Sequence, residues 1–163
     1  MTGRGVVVGI DPGATGGIGV VDAKTGRFIE GKLLPYVEIS RKMSLPDVRE
    51  LTGFLVTLDI TYDVEAVIVE QVSAMPGQGV SSMFKFGAGY GALLAVVLLQ
   101  GLPLHLVTPS KWKREMNLAA NKALSLGTAR RLWPDAPLTR KKDEGLAEAL
   151  LLADWWRTHR GSR

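Results

Sequence analysis

Short, uninterrupted runs of β-branched residues alternate along the chain with segments in which apolar positions recur every three or four residues. The runs predict five strands, at residues 6–11, 18–22, 27–34, 64–70 and 104–107. Only glycine-rich or Lys-Thr-Gly turns separate the first three, so these strands form an antiparallel meander. The last two strands are each preceded by a helical segment, which favours parallel pairing.

The helical spacing is clearest after the meander, where Val48, Leu51, Leu55 and Leu58 follow a helix start at residues 45–47. The polar segment between this helix and the third strand, residues 35–44, predicts a loop. Further helices are predicted at 80–100, 110–117, 122–132 and 142–157. We therefore expect one α/β domain over residues 1–163, in which helices flank a five-stranded mixed sheet of three antiparallel and then two parallel strands.

Acidic residues stand at the ends of three of these elements. Asp11 ends the first strand, Glu70 ends the fourth, and the last helix opens with Asp143, Glu144 and Glu148. If the two strands are parallel neighbours, Asp11 and Glu70 leave the sheet at one edge, where the helix can present Glu148 with Asp143 or Glu144. Converging carboxylates repel one another unless cations bind them. The set predicts a site for two Mg²⁺ ions, with Mn²⁺ as a substitute, although each acid alone is equally typical of a turn or a cap.

The positive charge of the chain is concentrated in its C-terminal half, near the third acidic group. The formal net charge is +4, and Lys111, Lys113, Arg114 and Lys122 stand close together against one acid, Glu115. Polyanionic nucleic acid is the natural partner of such a segment, whereas a solvated helix face is the simpler explanation for any single lysine. A metal site in a basic protein indicates a phosphodiester substrate.

The composition excludes several other classes of protein. The chain has no cysteine, so disulfides, thiolate metal sites and cysteine catalysis are excluded. It carries no Gly-Lys-Ser/Thr phosphate loop. The longest apolar stretch, residues 88–99, contains two glycines and is too short to span a bilayer, and no signal-like segment precedes the first strand. We expect a cytoplasmic protein without membrane association.

Several motifs taken in order resemble one family. The segments 9–13 (Gly-Ile-Asp-Pro-Gly), 69–71 (Val-Glu-Gln) and 147–150 (Ala-Glu-Ala-Leu) resemble signatures of RuvC-type Holliday junction resolvases, members of the ribonuclease H-like superfamily. Segments 75–79 and 84–87, with Thr108-Pro109 followed by Trp112-Lys113, are most similar to the phage and plastid branch. The resemblance extends over nearly the whole chain.

This resemblance implies a ribonuclease H-like fold and a homodimer that acts on four-way or otherwise branched DNA. Each subunit would make one of two symmetric, Mg²⁺-dependent nicks that leave a 5′-phosphate and a 3′-hydroxyl. It also implies a location in the cytoplasm of a bacterium or a phage-infected cell, or in an organelle.

The resemblance assigns roles to individual acids. Asp11, Glu70 and Glu148 match the family's metal carboxylates. Bacterial members carry a further acid three residues before the last one, but here that position is Gly145. The phage-like pattern moves this acid upstream, which makes Asp143 the expected fourth ligand and Glu144 the alternative.

The resemblance also implies DNA contacts. Lys113 and Lys122 match lysines near the scissile phosphate, and Lys113 is assigned to catalysis. A bacterial wedge aromatic is replaced here by Ser73, with Met75 as its expected substitute. The full set of expected DNA-binding residues is Lys111, Lys113, Arg114, Lys122, Lys142 and Met75.

Two other functions compete with this interpretation. The first glycine motif is shared with actin-like and sugar-kinase-like ATP phosphotransferases, but 163 residues are few for a two-lobed enzyme, and a second phosphate loop is absent from the sequence. A catalytically silent DNA-binding scaffold is the third possibility. A pure binder would gain affinity by losing acids near phosphate, so the acids argue against it.

Overall fold

The computed structural model describes residues 3–118 and 122–160. Within these ranges it contains seven strands, which are β1 Gly5–Asp11, β2 Gly17–Asp22, β3 Phe28–Leu33, β4 Tyr36–Ser40, β5 Met43–Pro46, β6 Asp63–Glu70 and β7 Leu104–Val107. The helices in the same ranges are α1 Val48–Thr61, α2 Val80–Leu99, α3 Pro109–Glu115, α4 Lys122–Leu132 and α5 Glu144–His159. A short 3-10 turn, Lys141–Asp143, leads into α5.

The main sheet has the strand order β3-β2-β1-β6-β7. The β1, β2 and β3 strands pair antiparallel, and β6 pairs parallel with both β1 and β7. This arrangement confirms the predicted mixed sheet. Because β1 and β6 run side by side in one direction, with Ile10 opposite Val69, the acids that end them leave the sheet at the same edge.

Helices cover both faces of this sheet, and α5 lies closest to it. A side chain at Gly9 of β1 would overlap the backbone carbonyl of Ala149, so this glycine lets α5 lie directly on the strand. The first turn of α5 is fixed in the same way, because Gly145 and Gly16 form a parallel bridge. A Cβ at Gly145 would overlap the carbonyl of Thr15. This docking carries the acids of α5 to the edge where β1 ends.

The prediction of a loop at residues 35–44 is wrong, because these residues contribute to a β-hairpin. β4 and β5 pair antiparallel in a separate two-stranded sheet, with Val37 opposite Leu45. The alternation of apolar and polar residues in β4 is short and mostly exposed, so it gives a weak strand signal. The helix start predicted at 45–47 also shifts: Pro46 ends β5, and Asp47 caps α1 by accepting hydrogen bonds from the amides of Arg49 and Glu50.

Residues 88–99 were judged too short to span a membrane, but the helix that contains them, α2, is longer and begins at Val80. By length and composition alone, its twenty residues are sufficient to cross a bilayer. Leu93 and Val97 are nevertheless buried in the core against α1 and the sheet. Phe84 and Leu99 remain 70% and 87% exposed, so the helix belongs to the folded domain and leaves an apolar stripe uncovered.

Candidate active site

The first two predicted acids lie next to one another at the end of the parallel strand pair. Asp11 is buried, and its Oδ1 accepts a hydrogen bond of 3.1 Å from the backbone amide of Gly13. This contact closes the glycine turn after β1 over the carboxylate. Glu70 ends the neighbouring strand and is half-buried.

Glu148 projects from the second turn of α5 and is only 3% exposed. Its Oε1 lies 2.8 Å from the ammonium nitrogen of Lys113 and accepts a 3.2 Å hydrogen bond from the hydroxyl of Ser125. A carboxylate so deeply buried requires a compensating cation, which Lys113 of α3 provides.

Asp11 and Glu148 both lie close enough to Glu70 for their charges to affect its pKa. Burial raises the pKa of the Glu70 carboxyl, and the negative charges of Asp11 and Glu148 raise it further. The hydrogen bond of 2.8 Å from the indole Nε1 of Trp112 and the charge of Lys113 oppose this pKa shift. Both opposing groups come from α3, whose consecutive residues Trp112 and Lys113 contact two different acids, Glu70 and Glu148.

Asp143, the expected fourth ligand, is buried but engaged elsewhere. Its carboxylate accepts hydrogen bonds from the backbone amide of Arg140 at 2.7 Å and from the guanidinium of the same residue at 2.8 Å. These contacts hold the pKa of Asp143 below its usual range. Gly145 cannot be replaced by an acid without a clash, because its backbone packs on Gly16. A fourth ligand role stays a prediction for Asp143 and for Glu144.

Carboxylate oxygens are the donors that hard divalent cations prefer, so the chemistry of Asp11, Glu70 and Glu148 fits such an ion. Their side chains are not arranged around a common point as metal ligands would be. Across residues 3–118 and 122–160, no three acidic or histidine side chains are arranged to hold a metal ion. In this arrangement Lys113 supplies the positive charge beside Glu148, and Trp112 occupies one oxygen of Glu70.

Comparisons with known proteins show which proteins the whole chain resembles. No family model matches the chain. A crossover junction endodeoxyribonuclease RuvC from Corynebacterium diphtheriae is 27% identical over 159 residues, which cover 92% of this chain and 93% of the relative. The structure of Thermus thermophilus RuvC in complex with a Holliday junction substrate superposes with a TM-score of 0.65 at 26% identity, covering 96% of this chain and 95% of that one. The chain is similar to RuvC over nearly its whole length.

A second structural match shows the fold alone. The yeast mitochondrial Holliday junction resolvase is 14% identical and has a TM-score of 0.59, covering 98% of this chain and 80% of that one. Together with the match to Thermus thermophilus RuvC, it confirms the ribonuclease H-like fold predicted from the motifs. Assignment of this RuvC-like chain to the phage and plastid branch stays a prediction.

The structure distributes the predicted DNA-binding residues over a wide surface. Of these, Lys113 forms an ion pair with one of the three acids, Glu148. Lys111 is exposed, with its ammonium 5.9 Å from the centre of the Trp155 ring, and Arg114 is exposed on the same helix. Lys122 begins α4, but its side chain lies outside the described residues. The exposed residues Lys142 and Met75 lie in the 3-10 turn and in the loop before α2.

Three residues of the site escaped the sequence analysis. Trp112 was noted as part of the family motif, but it is fully buried and its indole nitrogen orients Glu70. Ser125 contacts Glu148 from a helix with no sequence signal for it. Tyr36 of the unpredicted hairpin donates a 3.3 Å hydrogen bond to the carbonyl of Gly13, and burial together with the charge of Asp11 raises its pKa.

A large groove opens beside Glu70. Its volume is about 1420 Å³, and it runs between the β4–β5 hairpin on one side and the N-terminal half of α2 on the other. Thr108, Pro109 and Ser110 line it near the start of α3, and Met75 lines it from the loop before α2. The groove leads from solvent to one of the three acids.

Proposed function

We propose that this RuvC-like chain is a structure-selective endodeoxyribonuclease that resolves four-way DNA junctions. The observation that carries the proposal is the convergence of Asp11, Glu70 and Glu148 at one sheet edge, where burial, and then the charges of Asp11 and Glu148, raise the pKa of Glu70. A relative named as a crossover junction endodeoxyribonuclease and a solved RuvC bound to a Holliday junction support the choice of substrate. The products would be a 5′-phosphate and a 3′-hydroxyl.

The three acids would hold two Mg²⁺ ions, with Asp143 or Glu144 as a further ligand and Mn²⁺ as a substitute. Bound there, the ions would activate the attacking water and stabilise the leaving oxygen of the phosphodiester. Trp112 orients Glu70 through its indole hydrogen bond to Oε2 of the carboxylate. The backbone amide of Gly13 fixes Asp11 in the same way.

Lys113 would change partner when cations enter. Without them, its ammonium neutralises Glu148 across 2.8 Å. With cations held by the acids, Lys113 would no longer be needed to neutralise Glu148, and its ammonium would be available to contact the scissile phosphate. Lys113 would therefore act on the reacting group itself. Lys111, Arg114, Lys122 and Lys142 would contact flanking phosphates, and Met75 would wedge into the junction where bacterial relatives of this type use an aromatic residue.

The uncovered stripe of α2 would form a homodimer contact. Its exposed residues include Val80, Phe84, Leu98 and Leu99, more apolar surface than a helix usually leaves in water. Two active sites related by a two-fold axis would suit a junction that has its own two-fold symmetry. We place this dimer in the cytoplasm, where the substrate would be available.

A cleavage assay tests the proposed function directly. Labelled four-way, Y-shaped and linear duplexes are incubated with the protein, with and without Mg²⁺, and the nicks are mapped to single nucleotides. We expect paired, symmetric nicks in the four-way substrate that require Mg²⁺. Binding without any nicking would favour the silent scaffold, and ATP hydrolysis in the absence of DNA would favour the phosphotransferase; either result overturns the proposal.

A further inference from the structure

The β4–β5 hairpin forms one complete wall of the groove beside Glu70. Its lining residues run from Tyr36 through the turn at Arg41 and Lys42 to Ser44. The opposite wall is built by α2, from which Met83, Lys85 and Phe86 face the same space. Tyr36 is the hairpin residue that contacts the turn over Asp11, whereas Arg41, Lys42 and Ser44 lie farther along the hairpin and line the groove.

The turn of this hairpin carries positive charge that the described residues do not neutralise. Arg41 and Lys42 are exposed, and neither forms an ion pair within residues 3–118 and 122–160. Lys85 across the groove is exposed in the same way. Nearby cations behave differently, since Lys32 pairs with Glu50 at 2.8 Å and Arg49 pairs with Asp47. The two facing walls carry Arg41, Lys42 and Lys85 against one acid, Glu38, so the cations outweigh it and create a local positive potential.

The hairpin is anchored to the active site at its base. The hydroxyl of Tyr36, at the start of β4, donates to the carbonyl of Gly13 in the turn that closes over Asp11. At the end of β5, Pro46 packs against Gly89 of α2, where a Cβ would approach its ring to 3.0 Å. These two contacts, Tyr36 with Gly13 and Pro46 with Gly89, fix the hairpin between the acids and α2. The cationic turn is therefore held at a defined distance from the acids.

We propose that the β4–β5 hairpin is a phosphate-binding wall that holds one DNA strand in the groove next to the scissile bond. Arg41 and Lys42 contact phosphates on one side and Lys85 contacts them on the other. The apolar surface between them, formed by Met43, Met83 and Phe86, receives the sugars and bases. Two features favour a polyanionic strand as the occupant: the groove is continuous with Glu70, and Arg41, Lys42 and Lys85 line its walls. This proposal rests on the nuclease function proposed above.

Salt dependence of DNA binding tests this wall. The double variant Arg41→Gln/Lys42→Gln is compared with the matched control Lys24→Gln/Arg27→Gln, whose exposed cations lie at the β2–β3 turn on the opposite sheet edge. Losing two phosphate contacts is expected to reduce the slope of log K against log salt by about 1.4 to 1.8 and to weaken junction binding by about tenfold or more. The control is expected to keep the wild-type slope and affinity.

The absence of cysteine from the chain allows a second, independent measurement. A photo-crosslinker attached to Lys42→Cys should label nucleotides within a few positions of the nick, whereas the same reagent on Lys24→Cys should give only background labelling. Thermal melting of all variants verifies that they fold. If either variant at the hairpin behaves like its control, the hairpin does not bind DNA, and the groove serves another partner.

The two proposals fail in different ways. Wild-type protein that nicks junctions while the hairpin variants match their controls would refute the hairpin wall and leave the nuclease intact. Wild-type protein that neither binds nor nicks branched DNA would refute both. Loss of slope in the hairpin variant without any nicking by wild type would support the wall and refute the nuclease.

Discussion

Replacing Glu70 by glutamine is expected to stabilise the metal-free protein and, at the same time, to abolish cleavage. The raised pKa of Glu70 means that its charged form is disfavoured in the folded state relative to the unfolded chain. The contribution of Glu70 to stability is therefore fully present below its pKa in the unfolded chain. It is lost as the pH rises through its pKa in the folded protein. Glutamine carries no charge to lose and still accepts the hydrogen bond from Trp112.

The melting temperature of Glu70→Gln should accordingly exceed that of wild type at pH 7.5 by about 2–4 °C, and the difference should vanish near pH 4. Nicking should fall by about a thousandfold, the consequence of losing several kcal/mol of metal-assisted stabilisation in the transition state. Junction binding should persist, because a carboxylate anchors no phosphate.

Thermal melts at the two pH values and single-turnover nicking measure these effects. The control is Glu30→Gln, an exposed acid on β3 that should change neither quantity. A Glu70→Gln protein that melts below wild type at neutral pH would contradict the destabilisation of charged Glu70 by burial and by the neighbouring acids. One that cuts at the wild-type rate would contradict the metal role of Glu70.

Removing the ammonium of Lys113 is expected to have the largest effect on stability. In Lys113→Ala, Glu148 keeps Ser125 as a partner but loses its cation while only 3% exposed. An uncompensated buried charge costs about 3 kcal/mol, so urea denaturation of the metal-free variant should show a loss of this size in the free energy of unfolding. Nicking should be lost as well.

A double variant separates the two roles of Lys113. Lys113→Ala combined with Glu148→Gln removes both charges and should recover much of the lost stability, while nicking stays absent. Lys111→Ala, on the same helix but exposed, should change the free energy of unfolding by under about 1 kcal/mol. If Lys113→Ala is as stable as this control, the ion pair with Glu148 does not support the fold.

The central strands of the sheet were predictable because they are buried on both faces and therefore read as continuous apolar runs. The residues of β1 and β6 are of this kind, and the acids that end them follow from the strand direction. The hairpin was missed for the opposite reason. Most residues of β4 face solvent, so no continuous apolar run distinguishes them from a polar loop.

The site was predictable only where a residue's position follows from its own element. Asp11 and Glu70 qualify, as they end neighbouring strands. The pairing of Trp112 with Glu70 spans 42 positions, and it depends on how α3 packs, which local pattern does not encode. The absence of an acid at Gly145 has its cause in a distant contact, the close approach of Gly16.

Anomalous scattering from crystals of the wild-type protein soaked in Mn²⁺ at pH 7.5 tests most directly whether the three acids form one metal site. The proposed function predicts manganese peaks about 2.0–2.6 Å from carboxylate oxygens of Asp11, Glu70 and Glu148, with the ammonium of Lys113 moved away from Glu148. Crystals without a manganese peak at this sheet edge, in which Lys113 still pairs with Glu148, would contradict it.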